Sequence, residues 1–144
     1  MEIGLRIRLP RDRISVPVAR HVVRSAIEGI GVTAECADDI EVALSEACTN
    51  VLRHAGPGAI YDVRVDLDDE SCVLRIIDLG RGFDLAALPD SRPLPEEERG
   101  RGLALMSSLV DRARFESKPE IGTVVHLEKR LVYDPPRRLP GEAG

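Results

Sequence analysis

An α+β fold, a two-layer sandwich with helices on one face of a mixed, mostly antiparallel sheet, is predicted by three observations. The chain opens on the period-two alternation EIGLRIRLP. Two long segments of helical spacing follow it. Beyond the breaker Gly56-Pro57-Gly58, most of the core-forming sequence returns to period two. With 144 residues there is enough chain to close one core without staples, and a single domain over 1–132 is expected.

Each element has its own signal. The opening strand alternates apolar and charged residues and stops at Pro10. From Ser15 to Ile30 the residues Val16, Ala19, Val22, Val23, Ala26, Ile27 and Ile30 recur at helical spacing, and Gly29 and Gly31 mark the end. Thr33 is a good N-cap for a second helix that runs to about Ala55. AIYDVRVDLDDESCVLRIIDLG then gives a hairpin around the acidic turn Asp68-Asp69-Glu70-Ser71. Gly80 to Gly100 has no periodicity and reads as a long loop, a length that in compact domains usually signals a functional lid or a linker. A short helix from Gly102 to about Val110 and a closing strand pair, RARFES with GTVVHLEKRL, complete the core. Residues 133–144, with DPPRRLPGEAG, lack core-forming content and are expected to be a flexible tail.

Composition excludes several functions. The formal net charge is −5 with both signs interspersed, which argues against direct nucleic-acid binding. No run approaches the roughly 20 apolar residues of a membrane span, and Glu2, Arg6 and Arg8 interrupt any signal peptide, so a cytoplasmic protein without a membrane partner is expected. Cys36, Cys48 and Cys72 are odd in number and lack CxxC spacing, which suggests neither a disulfide framework nor a zinc site.

The chemistry concentrates in four segments. In EVALSEACTNVLRHA, Ile40, Leu44, Ala47 and Val51 form one helical stripe that should pack on the sheet, while Glu46, Asn50 and His54 run beside it at its edge. In IIDLGRGFD an apolar strand ends in Asp78, and Gly80 and Gly82 let backbone approach a ligand; an acid there can accept a hydrogen bond from an exocyclic amine. In RGRGLALM, Gly100 and Gly102 open a helix whose free N–H groups and dipole suit a phosphate. GTVVHL places the hydroxyl of Thr123 at the start of a late strand.

In this order and spacing the four segments resemble the N box and the three glycine boxes of the GHKL superfamily of ATPases and kinases, whose domain is the Bergerat type of α/β sandwich. They are most similar to the small stand-alone anti-sigma-factor serine kinases: SEACTN matches the SEAxTN form of the N box, and DLGRGFD matches DxGxGF. The resemblance implies ATP and Mg2+ as cofactors, Asn50 as a magnesium ligand and Glu46 as the general base. It further implies Asp78 as the acceptor of the adenine amine with Thr123 supporting it, Gly80 and Gly82 as the space for the base, and Gly100 and Gly102 as the phosphate turn. Residues 84–99 would be the ATP lid. Arg101, between two of the glycines, is placed either to contact a phosphate or to point outward, and His54 receives no chemistry.

No segment resembles dimerisation helices carrying a phosphoacceptor histidine, so the phosphoryl group should go to a partner protein. The implied partners are a sigma factor and an anti-anti-sigma protein of the STAS type, with homodimerisation left open. A second reading, a nucleotide-dependent module that sequesters a partner without phosphorylating it, stays open beside the first.

Overall fold

A computed structural model of the chain describes residues 1–54, 60–78, 104–118 and 122–135. Strand β1 (Glu2–Pro10) leads through a tight turn into helix α1 (Ser15–Gly29), which is followed by α2 (Ala34–His54). The hairpin β2 (Ile60–Asp68) and β3 (Ser71–Asp78) comes next. A short helix α3 over 104–109 precedes β4 (Arg112–Lys118) and β5 (Gly122–Arg130). The strands form one sheet in the order β1-β2-β3-β5-β4. Every described pairing is antiparallel, so no parallel component of the expected mixed sheet lies among the described strands.

The alternation that predicted the strands also sorts their faces. Tyr61, Val63, Val65 and Leu67 on β2 are at most 2% exposed, and Cys72, Leu74 and Ile76 stand across from three of them on β3. These residues join Ile27, Ile40, Leu44 and Ala47 of the two long helices in one core cluster. Both helices therefore cover the same side of the sheet. The stripe Ile40, Leu44, Ala47 and Val51 is at most 3% exposed, as its spacing required.

Side chains and turns fix the ends of the helices. Glycine at 31 adopts φ 87°, a left-handed conformation that a side chain would strain, and so turns the chain from α1 towards α2. Thr33 Oγ1 accepts the amide N–H of Cys36 at 3.1 Å, the expected N-cap. Its own N–H donates to the carbonyl of Val132 at 2.8 Å. Replacing Thr33 by alanine should cost about 1 kcal/mol, which for a domain of this size lowers Tm by about 2–4 °C. A calorimetric scan with an unchanged midpoint would show that the cap is redundant.

Two residues assigned to the tail by sequence are held. Tyr133 bridges to Val32, and the N–H of Asp134 donates to the carbonyl of Gly31 at 3.0 Å. Residues 136–144 of the expected tail lie outside the described residues, as does the whole of the expected lid, 84–99. The three cysteines are free and buried. Burial pushes the thiols of Cys48 and Cys72 up to about 12, so neither is a nucleophile near neutral pH.

Candidate functional site

The fold brings three of the four motif segments to one end of the helix-covered face. Asp78 ends β3, directly across from Tyr61 of β2. Because Tyr61 is wholly buried beneath the helices, Asp78 shares that face, and it is itself only 3% exposed. On its other side, the register that pairs Ile77 with Val124 brings Thr123 level with Asp78 one residue on. The acid and the hydroxyl, 45 positions apart in sequence by their numbers, are thus neighbours across an antiparallel ladder.

Helix α2 packs over β3 and β5. Glu46 and Asn50 lie one turn apart beside its buried stripe and are both half-buried. Among the described residues neither side chain takes part in a hydrogen bond or an ion pair, and the hydroxyl of Thr123 likewise has no hydrogen-bond partner. A half-buried carboxylate and amide with no protein partner among the described residues are free to take a ligand. That donor set suits Mg2+. The ion prefers oxygen ligands, keeps much of its shell as water and phosphate, and needs only one or two contacts from protein. The described residues hold no cluster of three or more His, Cys, Asp and Glu side chains able to bind a metal by themselves.

Two supports of this end of the molecule carry no motif. Arg11, in the turn after β1, donates from Nη2 to the carbonyls of Val51 at 3.0 Å and Leu52 at 3.4 Å. Its guanidinium therefore closes the C-terminal end of α2, where a cation also meets the favourable end of the helix dipole, and it fixes the turn that carries Asn50. Beneath, Ser15 at the start of α1 donates to the carbonyl of Asp12 at 2.7 Å and shares a hydrogen bond with the hydroxyl of Tyr61. Cys48 of α2, wholly buried, packs in the same core cluster as that tyrosine. Burial, first of all, drives the phenol of Tyr61 above its ordinary range. It is a neutral strut between α1, α2 and the strand beside Asp78. A lone arginine in a turn and a tyrosine in a strand carry no spacing signal, which is why sequence reasoning missed both. Gly80, Gly82, Gly100, Arg101 and Gly102, together with the side chain of His54, lie outside the described residues.

The family model of the histidine kinase-like ATPase domain matches residues 9–129, which spans every element from the end of β1 to β5. The chain belongs to that family. ATP binding is what a histidine kinase-like ATPase domain implies. The chain is 34% identical over 121 residues to an anti-sigma F factor of Pasteuria penetrans, covering 78% of this chain and 81% of that one. It is 30% identical over 139 residues to the serine-protein kinase RsbW of Halalkalibacterium halodurans, covering 90% and 85%. The crystal structure of the RsbU and RsbW domains of a Mycobacterium tuberculosis protein superposes with a TM-score of 0.69 at 24% identity. That match covers 95% of this histidine kinase-like ATPase domain but 34% of the larger chain, and it bears on the fold alone.

Proposed function

We propose that this protein is an anti-sigma factor with Mg-ATP-dependent serine/threonine kinase activity, which sequesters a sigma factor and phosphorylates an anti-anti-sigma partner of the STAS type in the cytoplasm. The observation that carries the reading is the placement of a 3% exposed Asp78 and a neighbouring Thr123 at the strand ends under the helix that bears Glu46 and Asn50. The names of the curated relatives support it.

In this reading the carboxylate of Asp78 accepts the exocyclic amine of adenine, and the hydroxyl of Thr123 supports that contact from the next strand. Asn50 holds the metal through its amide oxygen, and bound Mg2+ supplies charge neutralisation at the phosphates. Glu46, one turn away, accepts the proton of the partner's serine hydroxyl as its oxygen attacks the γ-phosphorus and the bond to the β-bridging oxygen breaks. The resemblance would give Gly80 and Gly82 the space for the base, Gly100 and Gly102 the phosphate turn, Arg101 either a phosphate contact or an outward position, and 84–99 the lid; all of these lie outside the described residues. For a protein partner, α1 and its N-cap offer Ile14, Val18 and Val22, spaced by four and 63%, 44% and 41% exposed. No helix among the described residues is long and apolar enough to cross a membrane.

The test is incubation of the full chain with γ-labelled ATP, Mg2+ and candidate partners encoded nearby. Label on a serine or threonine of one partner, abolished by chelation, is the expected result. A chain that binds ATP and a sigma factor yet labels no cognate partner would instead be the sequestering module.

A further inference from the structure

The face of the sheet opposite the helices carries a charge pattern that nucleotide chemistry does not use. Arg6 pairs with Arg64, Arg64 with Arg75, Arg75 with His126, and His126 with Arg114. Cross-strand partners share a face, and the neighbours of Arg64 in β2, Val63 and Val65, are wholly buried on the other side. The five basic residues therefore form one row across all five strands. Four strand spacings of about 4.8 Å make it about 19 Å long.

Like charges set directly opposite each other destabilise a sheet, so this row costs the fold something. Little in the described residues relieves it. Arg6 pairs with Asp62 at 2.8 Å, but Arg64, Arg75 and Arg114 make no ion pair among the described residues, and Nε of Arg64 is buried without a hydrogen-bond partner. Burial, then Arg114 and Arg75, hold His126 below its ordinary range against the opposing pull of Glu128 and Glu116.

The row is also narrow. One flanking row runs Arg8, Asp62, Ile77, Val124, Glu116, and the other runs Gly4, Asp66, Val73, Glu128, Arg112. Asp62 is buried beneath Arg6 and Arg8, but the carboxylates of Glu116 on one side and of Asp66 and Glu128 on the other stand about 7 Å from the strip, two residues along their strands. A wide polyanion such as a nucleic-acid duplex would meet those acids, and the chain's net charge of −5 opposes it further. A second copy laid row on row would set guanidinium against guanidinium.

A single file of carboxylates is what fits. Along a helix, acids at alternating i+3 and i+4 positions recur about every 5.4 Å, close to the strand spacing. Same-face acids of an extended segment recur about every 6.8 Å and fall out of step within two contacts. We propose that the row Arg6, Arg64, Arg75, His126 and Arg114 docks the acidic ridge of a helix from a partner protein, on the side of the sheet away from the nucleotide.

The probe is a fluorescent alanine-based helical peptide with four glutamates on one ridge, set against an isomer with the same glutamates spread around the helix. Anisotropy with the full chain should show the ridge peptide binding at least tenfold tighter than the isomer, and more weakly as salt rises. R64A/R75A should weaken the ridge peptide by ten- to a hundredfold, leave ATP affinity unchanged and, by relieving repulsion, keep or raise Tm. Arg75→Ser alone, at an exposed position, should give a smaller loss in the same direction. The imidazole of His126, followed by NMR, should titrate at higher pH with the ridge peptide bound. Equal binding of the two peptides, binding of neither, or equal affinity for duplex DNA would overturn the proposal. So would a wild-type dimer that R64A/R75A turns into a monomer, since that outcome gives the face to a second copy.

Discussion

Glu46→Gln is expected to lower phosphoryl transfer to a serine-bearing partner by about 10²-fold while leaving Mg-ATP affinity near that of the wild type. General bases contribute about 10²–10⁴-fold, and the loose transition state of phosphoryl transfer asks less of a base than acyl transfer does, which favours the lower end. Glutamine keeps the size and the half-buried position of Glu46 on α2, so the fold has no reason to change. Asn50→Ala, one turn on, should fail differently: Mg-ATP binds more weakly, and transfer falls with it. Paired titrations and single-turnover assays separate the two roles. Full transfer by Glu46→Gln would remove that residue from catalysis.

Asp78→Asn should weaken ATP binding by one to two decades. The loss is that of one charge-assisted hydrogen bond in a buried setting, about 1.5–3 kcal/mol. Asp78 is 3% exposed and stands between Tyr61 and the position of Thr123. An amide there is nearly isosteric but presents N–H groups or a weaker acceptor where the adenine amine arrives. Thr123→Val should give a smaller loss, since it removes only the supporting hydroxyl. Calorimetry that returned wild-type affinity for Asp78→Asn would move the base elsewhere.

Much of this was legible before any coordinates. Period-two alternation located β1, β2, β3 and β5 because each has one face on the core and one in water. The stripe of α2 fixed which side of that helix meets the sheet, and so placed Glu46 and Asn50 at its edge. What the sequence could not reveal depends on register. That Thr123 comes level with Asp78, or that Arg6, Arg64, Arg75, His126 and Arg114 fall into one row, follows from how strands distant in sequence are aligned. No local pattern encodes that alignment. The bond of Arg11 to the end of α2 was hidden for the same reason, since it links residues 40 and 41 positions apart.

The sheet order has a consequence for how the molecule is made. β5, the last in sequence of the described strands, does not join an edge; it inserts between β3 and β4. Until it docks, β3 has its hairpin partner on one side and, on the other, a bare row of N–H and C=O groups along an apolar strand, SCVLRIID. Such an edge is a template for pairing with the wrong chain. A nascent or truncated chain ending before Gly122 should therefore be an aggregation hazard rather than merely an inactive fragment, and it would also lack Thr123. A nucleotide held as proposed, between Asp78 of β3 and Thr123 of β5, would bind only the completed sheet. By mass action, ATP at 100 times its Kd would then stabilise the folded state by about 2.7 kcal/mol, which would tie the protein's lifetime in the cell to the ATP supply.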